Sequence, residues 1–324
     1  MPYTGVSTDT TNFGALVQDL VLAKAEQELR ARLVHANPDH FVRGRFVKGT
    51  NQIRFSRYAD LGAEVTELEE GLPPTTQSMS ISTDAFTAKQ YGQTLSITDL
   101  AQLDSPHDLI SIASDRLARQ AADTMDLVVR DVLALGTNVK YAPIVTGGTT
   151  TAVAARGDLT KDAKISGELV KKMAAALKAA NVPSFADGTY RCIIHPFQEY
   201  DLISDTTANG WLEANKYVDN TPLITGEIGK FAGIRFIVSS NAKVWAGAAD
   251  DSSDVYSAHF FGPDSYTVGD SQTLQAYFTA PGGDHSDPLA QSAIAGWKMR
   301  FGAKILDLAG PKYLRLETGS TLSE

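Results

Sequence analysis

The stretch that decides the fold runs from Arg43 to Gly136. It begins RGRFVKGTNQIRFSR (43–57), in which every ionisable side chain is basic, and continues DLGAEVTELEE (60–70), in which every one is acidic. Neighbouring blocks of opposite sign favour a projecting β-hairpin that lies across another molecule, because long-range attraction orients partners and fixes their register. The alternative is a solvated surface hairpin whose charges contribute little. Nine residues are candidate contacts: Arg43, Arg45, Lys48, Arg54, Arg57, Glu64, Glu67, Glu69 and Glu70.

One long helix is predicted after the hairpin, in SPHDLISIASDRLARQAADTMDLVVRDVLALG (105–136). Ser105 is a suitable N-cap, Pro106 suits the first helical position, and Asp108 places a carboxylate in the positive first turn. Apolar residues recur at helical spacing through the segment. A helix over 106–135 would span roughly 45 Å at 1.5 Å per residue, so it must lie along a surface as a strut.

Two further features of this helix can be predicted. The i,i+4 pair of Asp126 and Arg130 is expected on the polar side of the helix. Gly136 is expected to end the helix, since glycine is the preferred residue just past a helix C-terminus.

Composition limits the class of protein. The 324 residues suffice for roughly two domains, and 43% hydrophobic residues are ordinary for a globular chain. The net charge is −9, from 29 basic and 38 acidic residues, with no basic face beyond the hairpin. Sequence-independent binding to nucleic-acid phosphates is therefore disfavoured.

The cellular setting is indicated by what the sequence lacks. The single cysteine, Cys192, cannot form an intramolecular disulfide and fits a reducing compartment. Residues 1–11 have neither a basic nor an apolar region typical of a signal peptide, and no run of about 18 apolar residues occurs. We expect synthesis in a cytoplasm and no membrane span.

The rest of the chain mixes helices and strands, which predicts an α+β fold. A helix is predicted from Leu16 to near Asn37-Pro38, and an alternating return strand from Ser78 to Thr98. Further along, the predicted elements are a helix at 161–181, strands at 189–195, 233–238, 255–261 and 313–316, and a short helix that Pro196 begins.

No catalytic, cofactor or metal residue is predicted, because the standard phosphate-loop, dinucleotide, zinc-protease and nucleophile-elbow motifs are absent. Cys192 and His195 lie three apart on a strand and should face opposite ways, so a buried structural cysteine is favoured. Asp284, His285 and Asp287 could ligate a metal, but no second cluster closes a site, and a turn that caps the next segment is favoured.

Four short motifs carry a family resemblance: Tyr91–Asp99, Asp123–Asp126, Ile228–Arg235, and Ser286–Leu289 with Gly296-Trp297-Lys298. Together with the order of the predicted elements, they make the chain resemble the major capsid proteins of tailed bacteriophages. The nearest likeness is to the capsid family that includes the coat protein of the N4-type podoviruses.

The resemblance implies a division of the chain. Residues 1–40 would form an N-terminal arm and helix, and 41–99 an extended loop built as a β-hairpin. Residues 100–160 would form a peripheral domain with a spine helix at 105–136, residues 161–270 an axial domain, and residues 271–324 a return to the peripheral domain.

The resemblance also implies the function. The chain would be a non-enzymatic subunit of an icosahedral phage head, assembling into hexamers and pentamers that enclose packaged double-stranded DNA without binding it specifically. An encapsulin-like shell that encloses enzyme cargo is the nearest alternative, and a metal-dependent hydrolase is a less favoured one. The expected place is the virion, after assembly in the host bacterial cytoplasm.

The expected partners follow from the same resemblance. They are other copies of the chain, a separate scaffolding protein, the portal and a decoration protein. A scaffolding protein is expected because no long helical assembly segment precedes the arm. Some relatives join subunits through a lysine–asparagine bond; Lys48 and Asn51 lie on the hairpin, but no motif identifies a reactive pair, and cross-linking is not predicted.

Overall fold

A computed structural model describes residues 33–46, 52–58, 76–146, 148–205, 227–281, 291–306 and 312–323, with isolated positions at 61, 63, 65, 67, 71, 73 and 289. Most of the helix predicted from Leu16 lies outside the described residues, and its predicted last turn, at 33–37, is wrong because those residues form turns and not a helix. The described part is α+β, as predicted.

The elements are numbered in chain order. The helices are α1 (Asp99–Asp104), α2 (Leu109–Leu133), α3 (Gly167–Ala179) and α4 (Pro196–Ile203). The strands are β1 (Val42–Arg43), β2 (Arg45–Phe46), β3 (Gln52–Tyr58), β4 (Ile81–Thr87), β5 (Lys89–Thr98), β6 (Val139–Tyr141), β7 (Ile144–Thr146), β8 (Thr149–Thr151), β9 (Tyr190–Ile194), β10 (Glu227–Phe231), β11 (Ile234–Val238), β12 (Val244–Trp245), β13 (Val255–Phe261), β14 (Tyr266–Thr279), β15 (Ser292–Ile305) and β16 (Tyr313–Thr318).

A four-stranded sheet of order β1-β14-β15-β5 supports the long helix α2. Alternate residues of β15 face the helix, among them Trp297, whose Nε1 donates to Gln120 Oε1 at 3.2 Å. Two of the motifs noted in the sequence meet here, because Trp297 and Lys298 pair in register with Gln93 and Gly92. These strands therefore join two segments about 200 residues apart in the sequence into one layer.

The predicted return strand from Ser78 to Thr98 is two strands. β4 pairs with β3 in a three-stranded sheet of order β2-β3-β4, whereas β5 pairs with β15. The two strands are separated at Ala88, which is buried. Sequence alternation could not show this division, because both strands have the same period and differ only in their partners.

The predicted start of the long helix is wrong. Asp108 is the N-cap of α2, and its side chain accepts from Ile110 N at 3.1 Å and from Ser111 N at 3.3 Å. Ser105 instead ends a separate short helix, α1, which Thr98 caps. The 25 residues of α2 span about 37 Å, which is shorter than predicted.

The predicted role of Gly136 is also wrong. The C-cap of α2 is Ala134, and Gly136 has no left-handed backbone. A Cβ at Gly136 would lie 2.5 Å from Cε1 of the buried Tyr313 ring. Glycine is needed there because an aromatic ring approaches closely, and its conformational freedom is not used.

A seven-stranded sheet forms the other layer, with main order β10-β11-β9-β13-β16-β6 and β12 beside β13. α3 packs on it through an apolar cluster that includes Leu177, Cys192 and Phe236. β10 and β11 form a hairpin whose two loop residues, Ala232 and Gly233, have φ of 52° and 83°. Positive φ at both positions is what a type I′ turn requires.

The strand predictions in this half hold to within one or two residues, and the strand at 255–261 and the helix begun by Pro196 are confirmed. The helix predicted at 161–181 is shorter, at Gly167–Ala179, with Ser166 as its N-cap. None of the helices in the described ranges combines the length and apolar character that a membrane crossing needs.

Candidate assembly surfaces

The β2-β3-β4 sheet, called here the hairpin, is fixed firmly at its base. Ile53 is fully buried, and a Cβ at Gly44 or Gly269 would come within 2.5 Å or 2.7 Å of its Cγ2. Asp84 of β4 accepts a hydrogen bond from Lys304 Nζ at 2.7 Å. The base therefore cannot slide over the four-stranded sheet without opening packed contacts.

The outer face of the hairpin is exposed. Tyr58 and Ile81 are directly opposite in register, and each is 58% exposed. Arg54 is exposed on the same side of β3, four register pairs closer to the base. Ser56 and Thr83 form a pair between them, with their hydroxyl oxygens 3.4 Å apart. The described subunit thus carries an apolar pair and a guanidinium on one uncovered face.

The predicted contact residues are divided among several places. Arg43 is exposed on β1, beside β14. Arg45 and Arg54 are register partners on β2 and β3, Arg57 lies opposite Ser82, and Glu67 is exposed. Lys48, Glu64, Glu69 and Glu70 lie outside the described residues. All nine contacts remain predictions.

The exposed helix α1 was missed by the sequence reasoning. None of its residues is buried, and Leu100 and Leu103 are 65% and 80% exposed. The available signal was Thr98, which accepts from Ala101 N at 3.3 Å as an N-cap, followed by leucines three residues apart. The stronger cap signal at Ser105-Pro106 obscured it.

The segment 33–46 is anchored by Asp126 of α2. Its Oδ1 accepts from the backbone N–H groups of Val34, His35 and Ala36 at 2.9, 2.7 and 3.2 Å. Its Oδ2 lies 2.9 Å from His35 Nδ1, which donates. The prediction that Asp126 lies on the polar side of the helix, paired with Arg130, is therefore wrong; the residue is fully buried.

Burial by itself raises the pKa of Asp126, but the hydrogen bonds from His35 and the backbone, together with the charge interaction with His35, outweigh it. The net result is a lowered pKa. Asp126 therefore holds the N-terminal segment as a carboxylate, through four donors.

Buried aromatic and histidine side chains extend this anchor. Tyr266 Oη donates to His35 O at 2.7 Å, and Tyr313 Oη donates to Leu133 O at 2.7 Å. Since Tyr313 has used its proton, His259 Nδ1 must be the donor in its short bond to Tyr313 Oη. Burial lowers the pKa of His259 well below its usual value, so this histidine is neutral.

The residues that could have indicated chemistry are not arranged for it. Cys192 is buried, and burial raises the pKa of its thiol. His195 Nδ1 accepts from Phe197 N at 3.2 Å and so caps α4. Asp284, His285 and Asp287 lie outside the described residues. Within the described ranges, no group of three or more metal-capable side chains occurs.

Comparison with known protein families identifies the class to which the chain belongs. The family model described as phage capsid protein matches residues 82–312, more than two thirds of the chain. The chain therefore belongs to the phage capsid protein family, and it is a structural, non-enzymatic subunit of a phage head. The metal-dependent hydrolase is accordingly not supported. No curated protein matches the chain by sequence.

Solved structures show the same fold at low identity. The capsid of Ralstonia phage GP4 aligns with a TM-score of 0.66 and 15% identity, over 88% of this chain and 86% of that one. The capsid of cyanophage P-SCSP1u gives 0.64 and 17%, over 90% of both chains. The capsid of cyanophage Pam1 gives 0.64 and 15%, over 90% of this chain and 93% of that one. The predicted α+β phage capsid fold is confirmed.

Proposed function

We propose that the chain is the major subunit of an icosahedral phage head, in which it forms hexamers and pentamers that enclose packaged double-stranded DNA. The observation that carries the proposal is membership of the phage capsid protein family. A hairpin that is anchored at its base and uncovered beyond it supports the proposal. On fold alone an encapsulin-like compartment is a second candidate, but the family match favours the phage head.

The physical reason is the need of a shell for many contacts of moderate strength. Contacts of this kind allow many copies of one chain to close a shell, while each contact remains weak enough for assembly errors to be corrected. A hairpin that extends past its own sheet adds contact area on neighbours without requiring one large apolar patch on the free subunit. The exposed outer face of the hairpin supports this role.

We propose that the basic segment 43–57 and the acidic segment 60–70 meet opposite charges on adjacent subunits. The double variant Arg54→Glu/Arg57→Glu should reduce particle formation, whereas the control Arg54→Lys/Arg57→Lys keeps the charge and should assemble. Normal particle yield and stability of the charge-reversed variant would rule out this role.

Net acidity suits a container for DNA. A wall with a charge of −9 per subunit does not attract phosphates strongly, so the genome can move during packaging. We expect the purified subunit to bind duplex DNA weakly at physiological salt, and strong binding in a filter or gel assay would contradict this.

The finer assignments are proposals of the same kind. The chain is assigned to the N4-type podovirus branch, with the arm, extended loop, peripheral domain and axial domain at the boundaries given above. The extended loop corresponds to the hairpin within 41–99. A separate scaffolding protein would select one curvature, the portal would occupy one vertex, and a decoration protein would bind outside. Assembly would take place in the host bacterial cytoplasm before release in the virion.

Electron microscopy of the expressed chain, alone and with the scaffolding protein of its phage, tests the proposal. Closed shells built from six-fold and five-fold units are expected. A compact monomer that never assembles under either condition would refute it.

A further inference from the structure

The helix α1 is held in its own subunit by the Thr98 cap and by the Asp99 N–H, which donates to Gln291 O, but none of its side chains packs into a core. A six-residue helix is marginal in water, and α1 buries none of its residues. Asp99, Leu100, Leu103 and Asp104 share one face, since they stand in i,i+4 pairs. Two exposed leucines with a carboxylate at either end form an apolar surface that would gain stability if another surface covered it.

The outer face of the hairpin has the complementary composition. Tyr58 and Ile81 form an exposed apolar pair, and Arg54 is exposed on the same side of β3. Tyrosine and arginine are enriched among the residues that dominate binding energy at interfaces. The apolar pair matches Leu100 and Leu103 in character, and the guanidinium is opposite in charge to the carboxylates of α1.

The two surfaces cannot meet within one subunit. Thr98, which precedes α1, pairs with Ser292 at the start of β15, whereas Asp84 of the hairpin bonds to Lys304 near its end. These partners are twelve residues apart on β15, which is about 40 Å at 3.3 Å per residue. Ile81 lies three residues further along β4, in the direction that leads away from α1.

We propose that α1 is the docking surface for the outer face of the hairpin of a second copy of this chain. The inference rests on the proposed function and names one contact within it. Tyr58 and Ile81 lie against Leu100 and Leu103, and Arg54 faces the carboxylate rim. Because the two patches differ and lie at opposite ends, the contact is head-to-tail, the kind that closes rings of identical subunits.

A paired-cysteine experiment tests the contact directly. The double variant Ile81→Cys/Leu103→Cys, oxidised in assembled shells, should give a ladder of disulfide-linked oligomers on a non-reducing gel. The buried Cys192 does not compete. The matched control is Ile81→Cys/Leu135→Cys, since Leu135 is 70% exposed but lies beyond the other end of α2. Equal ladders from both variants, or linked dimers from Leu103→Cys alone, would overturn the proposal, the latter showing that α1 meets α1.

Substitution supplies a second readout. Leu100→Gln/Leu103→Gln should lower the assembled fraction at least ten-fold while the subunit keeps its melting temperature, because neither leucine is buried. Leu135→Gln should assemble normally. Charge reversal by Arg54→Glu should also reduce assembly, and adding Asp99→Arg/Asp104→Arg should restore it.

The outcomes separate this inference from the proposed function. The docking surface is wrong, and the shell function stands, if the native chain forms shells and two further results are found. Leu100→Gln/Leu103→Gln then assembles as the native chain does, and Ile81→Cys/Leu135→Cys cross-links as well as Ile81→Cys/Leu103→Cys. If the native chain forms no shell with or without its scaffolding protein, both are wrong.

Discussion

Replacing Asp126 by alanine should be among the most damaging single changes to the described fold. The substitution removes the acceptor of three backbone N–H groups, at Val34, His35 and Ala36, and of His35 Nδ1. Each buried donor left without a partner costs about 1 kcal/mol or more. Four such losses give about 4 kcal/mol.

The assay is urea denaturation of the unassembled subunit at pH 7.5, followed by circular dichroism and by amide hydrogen exchange. Asp126→Ala should lower the free energy of unfolding by about 4 kcal/mol, and the amides of 34–36 should lose their protection. Asp126→Asn keeps an acceptor oxygen and should cost about half as much. The nearby, partly exposed Asp123→Ala is the control and should cost less than about 1 kcal/mol.

The pH dependence gives the sign of the effect. Because the pKa of Asp126 is lower in the folded state, its contribution is complete above the unfolded pKa, near 3.9, and is lost as the pH falls through the folded pKa. The native protein and Asp126→Asn should therefore converge in stability in strong acid. A difference of under about 1 kcal/mol at pH 7.5, or continued protection of amides 34–36 in Asp126→Ala, would show that the carboxylate does not anchor this segment.

Three other predictions follow from buried groups. Gly136→Ala forces a Cβ to 2.5 Å from the ring of Tyr313 and should cost about 1–3 kcal/mol in a thermal melt, whereas Gly157→Ala, with open space around it, should be nearly neutral. Burial, aided by the charge of Arg191, lowers the pKa of His40 to about 3. The free energy of unfolding should therefore fall by about 1.4 kcal/mol per pH unit as the pH drops from about 6.5 towards 3. Denaturation at several pH values should show a flatter pH dependence in His40→Gln, and an unchanged slope would contradict the reasoning. The Cys192 thiol is buried with a raised pKa, so it should react with a thiol reagent only after denaturation, and rapid labelling of the native subunit would contradict its burial.

The sequence predicted best the features that depend on neighbouring residues. Helical spacing revealed α2, and the run from Val255 to Phe261 was recognised as a strand, in which one valine, one tyrosine and two phenylalanines favour the extended backbone. The start of α2 was misplaced because Ser105-Pro106 and Asp108 both have good cap chemistry. Which of these two caps begins α2 depends on whether the chain before it forms the separate helix α1, and local sequence signals do not decide this.

The features that were missed depend on distant partners. Asp126 has the local pattern of a surface residue, and only the segment about ninety residues earlier makes it an anchor. Likewise, the break at Ala88 exists because two halves of one alternating stretch pair with β3 and β15. Of the candidate assembly surfaces, the charged hairpin could be found from charge blocks, whereas the exposure of α1 required the packed molecule.

The place of β15 between β5 and β14 governs when a new chain becomes competent to join others. β5 leaves the ribosome roughly 200 residues before its partner, a wait of about 10–40 s at 5–20 residues per second. Until β15 arrives, the base of the hairpin has no Lys304 to hold it, and the distance between the two ends of the subunit is undefined. On the proposed function, we expect a nascent chain to be unable to join its neighbours on the same messenger RNA until β15 has been made and has paired with β5.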